Sequence, residues 1–230
     1  MKYNYIIYHK NCFDGFTSLC IFMKTNNLSK DYIIHPDIPS SNIVPNNIKG
    51  KNIIIMDVAY KKELLTKIVK LANFVLFIDH HISIIEDIKT ITYKNLRVIY
   101  NSSKSGSILV WDFFNKNKKY PKFIEYINKN DLGKWDNETK YFISALEVNF
   151  KLVPKIENIK KWNKLFNDIF VKDMISNGKI YNEYKNHLIN KNSKRYDMKI
   201  FPSKKIQSDY NLSNKKFNIA VINNNCPSTS

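Results

Sequence analysis

Cysteine is sparse. The chain holds three, Cys12, Cys20 and Cys226, and no pair has Cys-x-x-Cys spacing. That excludes a disulfide framework and a zinc knuckle, and reduced thiols fit the cytosol. Long hydrophobic runs are also missing. The apolar stretches, such as Ile53-Ile54-Ile55-Met56 and Phe74-Val75-Leu76-Phe77-Ile78, are strand-sized, whereas a bilayer-crossing helix needs about 20 residues. The first residues, Met1 to His9, contain no apolar segment of signal-peptide length. Repeats and low-complexity linkers are absent as well. These absences predict a soluble, cytoplasmic protein with no membrane partner.

Acidic residues are outnumbered: 20 Asp and Glu stand against 37 Lys and Arg, a net charge of +17 and a pI near 9.6. A positive surface concentrates polyanions and speeds their association. The chain is equally rich in Lys, Asn and Ile, which biased genomic composition also produces, and then the lysines are solvated surface. At 230 residues and 43% hydrophobic content, there is material for one good core, or for one domain and part of a second.

The first half alternates strand-like and helix-like segments. Strands are expected at Tyr3–His9, Tyr32–His35, Asn52–Met56, Phe74–Ile78 and Leu96–Tyr100. Helical spacing marks Phe16–Asn26, Lys61–Ala72 and Ser105–Asn115. Such alternation predicts an α/β fold: a doubly wound, mostly parallel sheet with flanking helices. The second half reads as helical, at Phe123–Lys129 and Tyr141–Glu147 and in one stripe from Ile159 to Phe170 that a longer helix follows through Leu188. Phe217–Ile222 returns to a strand pattern. The expected organisation is an α/β domain over residues 1–150, a helical extension over 151–212, and the start of a smaller domain over 213–230.

Ligands of an open parallel sheet bind at the carboxyl ends of its strands. The first strand is followed by His9-Lys10-Asn11-Cys12-Phe13-Asp14-Gly15, the Asn52–Met56 strand by Asp57, and the Phe74–Ile78 strand by Asp79-His80-His81. A single Asp after a strand is ordinarily a helix N-cap, and a lone His there is ordinarily a hydrogen-bonded edge residue. Three turns delivering Asp and His to one sheet edge are different. Oxygen ligands mixed with imidazole suit manganese, iron, cobalt, zinc or magnesium. The ligands exceed what one tetrahedral ion takes, which points to two ions clamping an in-line phosphoryl displacement.

These residues resemble the motifs of the DHH phosphoesterases. Asp79-His80-His81 looks like the signature triplet, His9 to Gly15 the first motif, and Asp57 the second. Ser105-Gly106-Ser107 is similar to a Ser-Gly-Ala stretch, and Tyr126 to Trp135, containing Asp131, resembles the fourth motif. The pieces stand in the family's order from about Tyr5 to Leu146. The resemblance implies that His9 and Asp57 bind one metal, and that Asp14, Asp57, His80 and Asp131 bind a second, with Asp57 bridging and central to catalysis. It implies that Asp79 fixes a ligand histidine's tautomer, and that His81 faces the phosphate. Asn11, Ser105, Gly106 and Ser107 are the implied substrate contacts.

Two features depart from the family pattern. Cys12 stands where the first motif usually has an aspartate, either as a thiolate ligand or as a packing residue. The five glycines, at 15, 50, 106, 133 and 178, include no adjacent pair, so the family's Gly-Gly-Gly-His stretch is not found here, which is expected either of a truncated chain or of one that has lost the substrate clamp.

The resemblance implies an enzyme that hydrolyses phosphodiester bonds of short single-stranded oligonucleotides or nucleotides, as a monomer or a homodimer. Its cofactors would be two divalent ions, Mn2+ foremost, with Mg2+, Co2+ or Zn2+ as alternatives. Pyrophosphate, cyclic dinucleotides and 3′-phosphorylated nucleotides remain other substrates of the same fold. Trp135, Tyr141 and Phe142 are aromatics available to stack on bases. The competing reading is a binding or scaffold protein that keeps the fold without catalysis. A regulator phosphorylated on Asp57 would leave His9, His80 and His81 without a role.

Overall fold

The structure is a computed structural model and describes residues 2–26, 31–193, 197–201 and 217–221, with side chains through residue 191. Five parallel strands form one sheet: β1 (Tyr5–His9), β2 (Ile33–Asp37), β3 (Asn52–Met56), β4 (Phe74–Asp79) and β5 (Leu96–Tyr100), in the order β2-β1-β3-β4-β5. The three central strands are those whose sequences read as unbroken apolar runs, because both of their faces are covered. The edge strands are half-exposed and carry what an edge tolerates: Pro36 in β2 and Arg97 in β5.

Alternate residues serve the two faces. Tyr5, Ile7, Ile53, Ile55, Val75 and Phe77 pack against Leu64, Leu65, Ile68 and Val69 of α2 (Lys62–Leu71). On the opposite face lie α1 (Phe13–Thr25) and α4 (Gly106–Phe114), which pack on each other. There the Tyr8 and Phe16 rings meet edge-on at 5.8 Å. Each of these side chains contributes roughly 1.5–3 kcal/mol through burial. A short helix, α3 (Ile85–Lys89), joins β4 to β5, and five residues were too few for its period to show in the sequence.

Four further helices follow: α5 (Lys122–Asp131), α6 (Asn137–Asn149), α7 (Ile156–Trp162) and α8 (Asp168–Ser193). The expected single stripe from Ile159 to Phe170 is broken. A 3-10 turn over Asn163–Phe166 ends at Asn167, whose side-chain oxygen accepts from the Ile169 N–H at 2.9 Å and starts α8. Ile169 consequently lies outside the core, 74% exposed.

The chain divides into two compact units, Met1–Lys179 and Ile180–Ser230, the division falling within α8. The first unit runs well past residue 150, because Trp162 is buried and packs on Phe16 at 5.0 Å and on Phe150 at 5.6 Å. In the second unit, β6 (Asp197–Phe201) pairs antiparallel with β7 (Phe217–Val221). The strand expected near the C-terminus therefore has a partner that the polar surroundings hid. Cys226 lies outside the described residues. Among the described residues, no helix is long and apolar enough to cross a membrane.

Candidate metal centre

The strand order β2-β1-β3-β4-β5 places the topological switch between β1 and β3, where a doubly wound sheet opens a crevice at its carboxyl edge. β1 ends at His9 and β3 delivers Asp57. Asp57 adopts a left-handed backbone, φ 63°, which an Asp tolerates better than most residues. Two bonds hold the turn. The Asp57 N–H donates to the Ile78 carbonyl at 2.9 Å, and the Tyr60 hydroxyl donates to the Asp37 carboxylate at the end of β2. Strain kept in place this way is typical of functional positions.

The turn from β1 to α1 passes through Asn11, also left-handed at φ 57°. Gly15 then lets α1 descend onto the strand end: a Cβ there would stand 2.3 Å from the His9 carbonyl oxygen. The close fit puts Asp14 in the first turn of α1, 1% exposed, against the cluster. From the other side, Gly106 opens α4 so tightly that a Cβ would lie 2.8 Å from Asp57 Oδ1 and 2.9 Å from Asp14 Oδ2.

Asp131 closes the ring from the last residue of α5. That helix ends in a Schellman motif: the Lys134 N–H reaches the Lys129 carbonyl at 2.8 Å, the Gly133 N–H reaches the Asn130 carbonyl at 3.2 Å, and Gly133 takes φ 67°.

The resulting distances are short. His80 Nε2 lies 3.1 Å from Asp57 Oδ1 and 3.4 Å from Asp131 Oδ2, while His9 Nδ1 lies 3.5 Å from Asp57 Oδ2. The two oxygens of Asp57 thus face different imidazoles. Six buried atoms here have no hydrogen-bond partner: His9 Nδ1, Asp14 Oδ2, both oxygens of Asp57, His80 Nε2 and Asp131 Oδ2. They approach one another without lining up as donor and acceptor. Buried polar atoms are almost always satisfied, and a cation is one group that could satisfy these together. Three overlapping sets have ligand atoms mutually within 4.8 Å: His9, Cys12 and Asp57; Asp57, His80 and His81; Asp14, His80 and Asp131.

Electrostatics point the same way. Burial and the neighbouring Asp57 and Asp131 push the Asp14 carboxyl well above the usual carboxylate range. Burial also raises Asp131, against the pull of His80. For Asp57, burial is outweighed by the approach of His80 and His9, and its carboxyl stays below the ordinary value. His80 rises to about 9, because Asp57 and Asp131 overcome the burial that would lower it. Burial and the adjacent Asp57 and Asp14 keep the Cys12 thiol protonated. The pocket collects protons where it would collect divalent cations, and metal binding would release them.

Asp79, fully buried, accepts three bonds on one oxygen, from the His80 N–H at 2.6 Å, the His81 N–H at 2.8 Å and His81 Nδ1 at 2.7 Å. Asp79 therefore orients the His81 ring, and it reaches His80 only through the backbone N–H.

The residues expected to touch substrate are placed differently. Ser105 and Ser107 are fully buried; their hydroxyls bond each other at 3.0 Å, and the Ser107 N–H donates to Asp14 Oδ1 at 3.1 Å. They brace a candidate ligand, because α4 buries its own first turn. Gly106 acts by its lack of a side chain. Asn11 is exposed, and its side chain has no hydrogen-bond partner among the described residues.

Sequence reasoning missed Asn128, whose Oδ1 accepts from the Ser105 N–H at 2.9 Å, although it stands one helical turn before Asp131. It also missed Tyr100, whose hydroxyl donates to the His81 carbonyl at 3.3 Å.

No protein-family model matches the sequence. An uncharacterized protein of Acanthamoeba polyphaga mimivirus is 27% identical, over 83% of this chain and 46% of its own length. The chain thus spans about half the length of that relative. A crystal structure of an uncharacterized protein from Helicobacter pylori G27 superposes with a TM-score of 0.44 at 13% identity, covering 80% of this chain and 70% of that one.

Proposed function

We propose that this protein is a two-metal phosphoesterase of the DHH type, hydrolysing phosphodiester bonds of short oligonucleotides or nucleotides. One observation carries the reading: the oxygens of Asp57 face His9 on one side and His80 on the other, at 3.5 and 3.1 Å. A carboxylate between two imidazoles is the geometry of a bridging ligand. His9 and Asp57, with Cys12 in reach, would hold one cation, and Asp14, Asp57, His80 and Asp131 the other. The carboxylate-rich part of this donor set accommodates Mn2+, the ion the resemblance implies, and its imidazoles admit Co2+ or Zn2+ as well. Such a pair supplies hydroxide at neutral pH and offsets charge on the phosphoryl oxygens.

The chain's own residues do the rest. Asp79 holds His81 Nδ1 and stabilises the protonated ring, leaving Nε2–H to donate to a phosphate oxygen. The excess of positive charge draws anionic substrates to the chain. The free thiols of Cys12 and Cys20 fit a cytoplasmic setting.

Mn2+-supported hydrolysis of a labelled dinucleotide by the full chain, with Asp57→Asn beside it, tests the proposal. Asn keeps the left-handed backbone and removes the bridging charge. Cleavage that disappears in the variant and in chelator is the expected result; no cleavage by the wild-type chain at any divalent ion overturns it. Cys12 in a ligand position favours the alternative of a catalytically impaired binding protein, which would hold at most one ion and turn nothing over.

A further inference from the structure

The three candidate stacking aromatics are sorted by burial. Phe142 is fully buried and packs on Tyr126, with ring centroids 5.3 Å apart, and Tyr141 is half-buried. Trp135 is 56% exposed, while the other two tryptophans, Trp111 and Trp162, are 7% and 1% exposed. A large exposed indole gives up apolar burial, and its placement is not left to chance. Trp135 Nε1 donates to the Asn130 carbonyl at 3.1 Å, the carbonyl that also closes the Schellman motif of α5.

That bond ties the ring to the metal centre. Asn130 precedes Asp131, and Asp131 Oδ2 lies 3.4 Å from His80 Nε2. Covalent geometry from the Asn130 carbonyl oxygen to the Asp131 carboxylate spans about 6 Å, so the indole nitrogen lies within roughly 10 Å of that carboxylate. A single nucleotide bridges such a distance, with its phosphate at the ligands and its base at the ring. Beside Trp135, Lys134 is exposed and has no carboxylate partner among the described residues, whereas Lys129 is paired with Asp136 at 2.6 Å. A cation free for a phosphate and a ring held in advance lower the cost of ordering a ligand.

We propose that Trp135 is a base-stacking platform beside the metal centre, so that the site takes a phosphodiester bearing a nucleobase and discriminates against bare inorganic phosphates. The inference rests on the reading of the cluster as a phosphoesterase centre, and it supplies a substrate contact just past the end of α5, beside Asp131. Stacking tolerates any base, because every base has a π-face. The platform therefore selects for the presence of a base and not for its identity.

The test is a fluorescence titration of the full chain in Mg2+, which does not quench indole emission as Mn2+ does. The probes are a phosphorothioate dinucleotide and its abasic analogue. Trp135 dominates the solvent-sensitive emission, and the dinucleotide should quench it while the abasic analogue does not. Trp135→Ala, followed by competition with a labelled dinucleotide, should weaken dinucleotide binding by roughly 5- to 100-fold. Trp135→Phe should restore most of the loss, and the abasic analogue should bind all three proteins alike. Equal wild-type affinity for the two probes, unchanged binding in Trp135→Ala, or no binding of either probe overturns the platform. Base-dependent binding, with no hydrolysis of an unmodified dinucleotide in Mn2+, would keep the platform and overturn the phosphoesterase reading instead.

Discussion

Replacing Gly106 with alanine adds one carbon atom at a crowded point of the cluster, against two of its carboxylates. Its position meets Asp57 Oδ1 at 2.8 Å and Asp14 Oδ2 at 2.9 Å, where ordinary contact begins at 3.4 Å. The carboxylates, or the start of α4, must retreat by about half an ångström, and metal ligands tolerate displacements of only about 0.2 Å. The backbone itself does not object. Gly106 is outside the left-handed region, and alanine is the better helix former by about 1 kcal/mol. Overpacking costs about 1–3 kcal/mol, partly offset by that propensity. In a unit of this size each kcal/mol moves Tm by about 2–4 °C, so the metal-free Tm should fall by no more than ~8 °C. Mn2+ affinity should fall more steeply, by about 10- to 100-fold, as when ligand supports are disturbed. Calorimetric titration with Mn2+ reads this directly. Wild-type affinity in Gly106→Ala would refute the assignment of Asp14 and Asp57 as ligands.

Three other outcomes follow from the same structure. Tyr60→Phe removes the donor to the buried Asp37 carboxylate and should cost about 1.5–3 kcal/mol of stability in denaturant unfolding; a neutral result would mean that this bond does not hold the Asp57 turn. Asp136 caps α6, accepting from the Thr139 N–H at 2.7 Å, and Lys129 with Thr139 lowers its carboxyl to about 2. Asp136→Ala should cost about 1 kcal/mol near neutral pH. Because the folded value is depressed, the contribution is complete above the unfolded value of about 4 and disappears as pH falls through 2, so the gap between variant and wild type should close over that window. Chelating divalent ions from protein equilibrated with free ion at 100 times the dissociation constant should remove about 2.7 kcal/mol for each ion bound, seen as a Tm drop of roughly 5–10 °C per ion; an unchanged Tm would count against a bound metal.

Much of the architecture was legible because burial on both faces writes itself into sequence. β1, β3 and β4 appear as apolar runs, and the residue after each run falls at the sheet edge by geometry alone. That logic located His9, Asp57, Asp79 and His80 without side-chain positions. Asp131 is not at a strand end, and only its place in the motif order marked it. What stayed hidden depends on local contacts that no periodicity records. The left-handed turn at Asp57, the three bonds converging on Asp79 and the mutual bonding of Ser105 and Ser107 are of this kind. The start of α1 was missed by one turn, since Phe13-Asp14-Gly15 looks like a loop until Gly15 is seen lying on His9. The Asn167 break was hidden because apolar spacing continues across it on both sides.

The central claim is a bridged pair of metal sites, and counting metal tests it most directly. Equilibrium dialysis of the full chain against Mn2+, followed by elemental analysis, should find two ions per wild-type chain. Asp57→Asn, with its bridge removed and its backbone kept, should retain at most one. Two ions in the variant, or none in the wild-type chain, would contradict the account.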